Sequence, residues 1–208
     1  MGSQERRERE KEARKEHILK AARTLLLKKG LYATTVNQIA RLSELSVGTI
    51  YLYYHNKEDI FAALQEEGLT MLNDLIAKAV AAASSPKDKI RAVALGYLEF
   101  SEKQKNYYDI ITYFLSTPEQ LFPPRLKNRV DRTGGKILGF CIEAIEAGIK
   151  SGDFRKVNAR RHTIWLWGML HGLIQFRKME KTILQKESYG TLVQYALENY
   201  LKTLVAEK

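Results

Sequence analysis

The sequence predicts an all-α fold, and three observations carry that prediction. Apolar residues recur at helical spacing through nearly every segment, and no dense strand pattern occurs. Only 4 prolines occur in 208 residues, and they fall between the periodic stretches rather than inside them. Residues that start and stop helices stand where the pattern is interrupted: Thr35, Ser46 and Asn56 can cap, while Gly30 and Ser84-Ser85-Pro86 can terminate or restart. With 45% hydrophobic residues, the chain can bury a core in one large or two small domains.

Residues 5–16 alternate short blocks of Arg/Lys and Glu, with i,i+4 pairs such as Glu10–Arg14 and Glu16–Lys20. This reads as a solvated extension of the first helix. A basic arm reaching a DNA minor groove is the other reading, and the interspersed glutamates count against it. The first helix proper runs to about Lys29 and buries Ile18, Ala21, Ala22, Leu25 and Leu26, with Gly30 as its stop.

Residues 36–43 place Val36, Ile39, Ala40 and Leu42 on one apolar stripe. Residues 44–46 supply a turn, and Ser46 caps a further short helix over 47–53. Ile50 faces the core, leaving Gly48, Thr49, Tyr51 and Tyr53 as a small-plus-aromatic outer face. Two short helices about a tight turn form a helix-turn-helix, whose second helix lies in a DNA major groove. Asn56 then caps a long helix from Lys57 toward Ala83, with Glu58 and Asp59 well placed in its first turn. Its apolar positions are Ile60, Phe61, Leu64, Leu69, Leu72, Leu75, Ile76 and Val80. Further helices are expected at about 87–104, 106–116, 123–151, 159–181 and 187–206, with an irregular piece around Glu119 to Phe122. Ser151-Gly152-Asp153 closes the longest of them.

The ordered series His17-Ile18-Leu19-Lys20-Ala21-Ala22, Lys29-Gly30, Thr34-Thr35, Ile39-Ala40, Ser46, Gly48-Thr49-Ile50-Tyr51, Tyr53-Tyr54 and Asn56-Lys57-Glu58-Asp59-Ile60-Phe61 resembles the N-terminal domain of the TetR family of transcriptional repressors. The resemblance covers residues 17–62. One departure lies in the turn, where the family often has Gly at the position of Glu44; a left-handed backbone there costs a non-Gly residue roughly 1–2 kcal/mol. The expected organisation is a charged extension (1–16), a helix-turn-helix DNA-binding domain (17–62), and an effector-binding and dimerisation domain (63–208). A single helix joins the last two, so a movement in one would reach the other as a rigid tilt.

The resemblance implies a DNA-contacting set of Thr35, Asn37, Ser46, Val47, Gly48, Thr49, Tyr51, Tyr53, His55 and Lys57. Val47 can touch a thymine methyl, and the small Gly48 lets the helix backbone approach the groove floor. Tyr51 and Tyr53 carry hydroxyls for phosphate or base, Thr35 is expected to bond a phosphate, and Asn37 lies on the exposed face of its helix. Lys57 stands at a helix N-terminus, a favourable place for a phosphate. His55 is either a phosphate contact or ordinary surface. Tyr54 stands where the family usually has a core Phe.

One such helix per chain implies a symmetric homodimer on double-stranded DNA carrying a palindromic operator. The family pairs its last two helices, and residues 163–176 are apolar nearly all round, with Gly168 and Gly172 spaced for close helix approach. Leu192, Val193, Ala196, Leu197, Tyr200, Leu201 and Leu204 give the final helix a broad apolar stripe. A small-molecule effector is implied for the second domain, with Phe100, Tyr107, Tyr113, Phe114, Phe140, Trp165, His171 and Gln175 as candidates for its site. Their character suggests a largely apolar ligand. Each aromatic can equally be core, and His171 can equally be a hydrogen-bonded residue at the dimer seam. Arg125, Lys127, Arg129, Arg132 and Lys136 form a basic cluster that reads as a solvated face before it reads as a site for an acyl thioester's phosphates.

Net charge is +10, which suits a polyanionic partner. The excess is spread over the chain, so the motif and not the charge locates the DNA-binding end. The four histidines and single Cys141 show no metal-ligand spacing, and Gly134-Gly135-Lys136 lacks the flanking pattern of a phosphate loop. No enzyme activity and no cofactor are therefore expected. Cys141 sits among apolar helical neighbours and is expected in the core. No apolar run of membrane-spanning length occurs, and the charged N-terminus is unlike a secretory signal, so a bacterial or archaeal cytosol is expected, with the protein nucleoid-associated when on DNA. The expected function is that of a repressor released from its operator by a small ligand. The alternative is a TetR-like nucleoid or protein-partnered DNA-binding protein that uses no small ligand.

Overall fold

A computed structural model describes residues 3–116, 122–184 and 187–205. Nine α-helices are described: α1 (Ser3–Lys29), α2 (Val36–Leu42), α3 (Val47–Tyr51), α4 (Lys57–Ala81), α5 (Pro86–Lys103), α6 (Lys105–Ser116), α7 (Pro124–Ser151), α8 (Ala159–Phe176) and α9 (Tyr189–Lys202). The fold is all-α, and the described residues form no sheet; a single antiparallel bridge joins Phe154 to Val205. The expected irregular piece at 119–121 lies outside the described residues.

The chain divides into two compact units. The first comprises Met1–Leu69 with Lys105–Asp131, the second Thr70–Gln104 with Arg132–Lys208. The first unit thus holds α1, α2, α3, the start of α4, all of α6 and the start of α7. Its core is Ile18, Ala22, Ile39, Ile50, Ile60, Phe61, Leu64 and Ile110, all completely buried. Full burial is worth roughly 1.5–3 kcal/mol for each of these large side chains, Ala22 apart.

Local chemistry explains the helix ends. Thr35 forms a full capping box with Gln38: its hydroxyl accepts from the Gln38 N–H, and the Gln38 side-chain oxygen accepts from the Thr35 N–H. After α2 the Leu45 N–H bonds the Ala40 carbonyl at 2.9 Å and the Glu44 N–H bonds the Arg41 carbonyl at 3.3 Å. This nested pair is a Schellman closure, which requires a left-handed residue at Glu44, and its φ is +54°. Ser46 then caps α3 by accepting from the Thr49 N–H at 3.0 Å. The Asn56 side chain accepts from the Asp59 N–H at 2.8 Å and opens α4. Ser85 does the same for α5, with Pro86 at the first helical position.

Some expected details differ. Leu42 is 47% exposed, because the chain turns out of α2 at that point and the residue leaves the stripe set by Ile39 and Ala40. Leu25 is only half-buried. The helix expected over 47–53 stops at Tyr51, since the Tyr53 and Tyr54 N–H groups both bond the Ile50 carbonyl and tighten the last turn. The α1 extension is held by Arg6–Glu10, Lys11–Glu8 and Lys15–Glu12 pairs instead of the two that spacing suggested. Exposed pairs of this kind contribute little, typically about 0–1 kcal/mol.

The second unit packs around Ile76, Ile90, Phe100, Cys141, Ile145, Leu166, Leu170, Tyr200, Leu201 and Leu204, all buried. The helix expected over 159–181 ends at Phe176, and a 3₁₀ turn (Arg177–Met179) and a π-helical turn (Glu180–Leu184) follow. Arg177 sits at that junction, pairing with Glu102 and donating to the Ser101 hydroxyl. Its guanidinium also covers the Tyr189 ring at 4.9 Å. One cation thereby gathers the end of α5, the irregular turn and the start of α9.

Candidate nucleic-acid interface

The caps that set α2 and α3 also leave a definite set of groups on the surface. Ser46, at the head of α3, shares a 2.8 Å hydrogen bond with the Thr49 hydroxyl, which orders both side chains. Gly48 is exposed, and Val47 and Thr49 are half-buried. Ile50, buried completely, pins α3 to the core, so its remaining residues are turned outward. Tyr51 is 48% exposed and Tyr53 half-buried. On α2, Thr35 and Asn37 are both exposed. These residues lie within two consecutive short helices and form one continuous stretch of small, hydroxyl-bearing and aromatic groups.

Lys57 and His55 are held by the backbone. The Lys57 ammonium donates to the Leu31 carbonyl at 3.3 Å, and the His55 N–H donates to the Asp59 carboxylate at 3.2 Å. The Leu31 peptide is gripped from the other side too, since its N–H donates to the Tyr113 hydroxyl at 3.4 Å. Lys57 therefore serves the α1–α2 loop in the free protein, a role its position in the sequence does not disclose.

Leu52 was not anticipated. It directly follows Tyr51 and is 82% exposed, the highest value among the exposed large apolar side chains. A signal existed, since Leu52 is out of phase with the core residue Ile50 at the end of a short helix. Tyr54 is half-buried rather than core, and its hydroxyl is pushed up to about 12 by burial first and then by Glu12 and Glu67.

The effector candidates divide by unit. In the first unit, Tyr107 is buried and its hydroxyl donates to the Glu67 carboxylate at 2.5 Å. Its proton is held up to about 12 by burial and then by Glu67. Tyr113 reaches Leu31, and Phe114 packs edge-on against Tyr113 and on Phe122 at 4.8 Å. In the second unit, Phe100 is buried and Phe140 half-buried. The Tyr97 hydroxyl lies 3.4 Å from Nδ1 of His171. Trp165 is 49% exposed and stacks edge-on with His162 and Tyr200, and Gln175 is exposed. Among the described residues, no cluster of three or more His, Cys, Asp or Glu side chains could hold a metal ion. No described helix is long and apolar enough to cross a membrane.

Known proteins fit this architecture. The family model described as bacterial regulatory proteins of the tetR family matches residues 18–64, the segment from mid-α1 into α4. Residues 18–64 are a DNA-binding domain of the tetR family. Among its relatives, the helix-turn-helix-type transcriptional regulator YhgD of Bacillus subtilis is 27% identical over 87% of this chain and 93% of its own length. The fatty acid metabolism regulator protein of B. subtilis is 24% identical over 67% of this chain and 70% of its own. Among solved structures, the transcriptional regulator FadR from B. subtilis in complex with stearoyl-CoA superposes with a TM-score of 0.74 at 21% identity, covering 90% of this chain and 98% of that one. With this domain, the protein is a DNA-binding transcriptional regulator.

Proposed function

We propose that the protein is a homodimeric repressor that binds a near-palindromic operator through α3 and leaves it when a small, largely apolar ligand binds the second unit. The observation that carries this reading is the solvent-facing set on α3. A capped helix with Ile50 buried beneath it presents Ser46, Val47, Gly48, Thr49 and Tyr51 in a row, small at the N-terminal end and aromatic at the other. That order lets the helix N-terminus approach base edges while hydroxyls reach the flanking phosphates. Thr35, Asn37, Tyr53, His55 and Lys57 are the supporting contacts in this reading.

Dimerisation is supported by the apolar groups that α8 and α9 leave uncovered in a single chain. Ile164, Trp165 and Phe176 are exposed on α8, and Tyr195 on α9. Gly168 and Gly172 have open space where a Cβ would stand, so a second helix can come close. Two copies related by a two-fold axis would set their α3 helices one DNA turn apart, about 34–36 Å.

For the ligand, a long-chain acyl group is the first chemistry to try. The fatty acid metabolism regulator relative and the stearoyl-CoA complex of a structural neighbour support it. Within the second unit, the buried Phe100 and the Tyr97–His171 contact would offer an apolar wall with a polar anchor. The basic cluster at the start of α7 is partly occupied, since Arg129 pairs with Glu66 and Lys127 with Asp131. Release would need a coupling free energy of typically 1–3 kcal/mol between ligand and operator.

The test is Tyr51→Ala. Operator affinity should fall roughly 10-fold or more, because the aromatic ring at the C-terminal end of α3 and its hydroxyl, a base or phosphate contact in this reading, are lost. Melting should stay native, because the side chain is half exposed. A folded mutant with native operator affinity would remove α3 as the recognition helix.

A further inference from the structure

The outward direction of α3 is fixed by the helix itself. Ile50 is completely buried and points to the core. At 3.6 residues per turn, Gly48 and Leu52 each stand roughly 160° round the axis from it, one turn apart on the side opposite the core. Leu52 keeps α-helical dihedrals, φ −70° and ψ −21°, so this geometry holds through its position. Exposure agrees: Gly48 and Leu52 are exposed, while Val47 and Thr49 on the flanks are half-buried. Leu52 is 82% exposed, and Tyr51 beside it 48%.

Neither residue on that line is explained by the fold. A Cβ at Gly48 would meet only the Ser46 Oγ, at 3.7 Å, an ordinary contact. Alanine would therefore fit there and give a more stable helix. Leu52 leaves most of its surface uncovered in the chain that carries it. A lone exposed leucine is ordinary on a protein surface. Here it shares its line with a glycine that gives up helix stability, on a helix inside the matched DNA-binding domain. A missing side chain in one turn and a projecting apolar one in the next suit a partner that comes close at the first and meets the second. Continuity with the rest of α3, and a net charge of +10, make that partner double-stranded DNA.

We propose that Leu52 is a specificity-determining residue that reads the 5-methyl group of one thymine in each operator half-site. Thymine alone among the four bases shows a methyl group in the major groove, and an apolar side chain can contact it without a hydrogen bond. Close approach of the backbone at Gly48 brings the next turn, and Leu52 with it, within reach of the base edges. The proposal rests on the reading of α3 as the DNA-reading helix. It goes beyond that reading by matching one side chain to one chemical group. Leu52 lies outside the contact set of that reading, in which Val47 is the residue set against a thymine methyl.

The experiment uses an operator selected by the native full-length protein from random duplex DNA. Each thymine of one half-site is replaced in turn by deoxyuridine, which removes only the methyl group. Affinity is measured by fluorescence anisotropy for the native protein and for Leu52→Ala, which should melt as the native protein does because the side chain is exposed. At one thymine, deoxyuridine should weaken native binding about 4-fold, the equivalent of one buried methyl-sized group, and leave Leu52→Ala unaffected. At every other thymine the two proteins should respond alike. Leu52→Ala should itself bind the unmodified operator at least about 4-fold more weakly. Its affinity should keep the native dependence on salt, because no phosphate contact has been removed. The proposal is overturned if no methyl effect disappears in Leu52→Ala, if that variant loses affinity equally for unrelated DNA, or if the half-sites contain no thymine. Tyr51→Ala is measured on the same operator. Weakened binding there beside native behaviour of Leu52→Ala sinks this proposal alone. A native protein that selects no DNA, or a folded Tyr51→Ala with native affinity, removes the recognition-helix reading and this proposal with it.

Discussion

Replacing Glu44 by Gly should stabilise the protein, and the structure allows the size of the effect to be worked out. Glu44 holds φ at +54° because the Schellman closure after α2 requires it. An L-residue with a Cβ loses roughly 1–2 kcal/mol in that conformation, and Gly loses nothing there. Against this, Gly gives the unfolded chain more freedom, a cost of about 0.5–1 kcal/mol. The Glu44 side chain is exposed, so little packing is lost with it. The balance is a gain of about 0.5–1 kcal/mol, or roughly 1–4 °C in Tm for a chain of this length. The assay is thermal melting of Glu44→Gly and native protein at equal chain concentration, since a dimer's Tm depends on concentration. Operator affinity should stay native, because the backbone of the turn is unchanged. A lower Tm, or a wild-type one, would refute the claim that the turn is strained.

Three further outcomes are expected. Lys57→Ala should weaken binding to every DNA sequence alike and lower the slope of log affinity against log salt by about one unit, read from a salt titration. Gly148→Ala should destabilise the second unit by at least roughly 1–3 kcal/mol in chemical denaturation, because a Cβ would fall 2.1 Å from the buried Phe154 ring. That outweighs the helix-propensity gain of about 1 kcal/mol. Cys141, buried with its thiol pushed up to about 11 by burial, should resist thiol reagents at pH 8 in the folded protein. The unfolded thiol ionises first as pH rises, so the folded chain holds more protons between about pH 9 and 11 and Cys141 makes stability fall across that window.

Features set by neighbouring residues were legible in the sequence. Thr35, Ser46 and Asn56 cap helices by bonding backbone within three residues, and Pro86 and Gly30 act on their own dihedrals, so these helix ends could be read directly. The strain at Glu44 could be anticipated for the same reason. Periodicity failed at the ends of elements. Leu42 fits the stripe of α2 on paper, but the helix closes there and the side chain turns to solvent. The apolar pattern likewise continues past Phe176, where the backbone has already changed to 3₁₀ and π-helical turns.

Contacts between distant residues were not legible at all. Tyr107 and Tyr113 counted as effector candidates because aromatics on a helix can line a pocket as readily as a core. Their hydroxyls bond Glu67 and Leu31 in the same unit as the helix-turn-helix, a placement made by the packing of α6 on α1. The Lys57 bond to Leu31 spans 26 positions and escaped for the same reason. The outward face of α3 could be read except for Leu52, whose exposure depends on where the short helix ends.

The most direct test of the whole account is selection of the DNA bound by the purified, full-length protein from a random duplex library. The account predicts one short near-palindrome whose half-sites lie about 10–10.5 base pairs apart or at a multiple of that spacing. Binding without sequence preference would contradict it, because α3 would then present its side chains to no base edge.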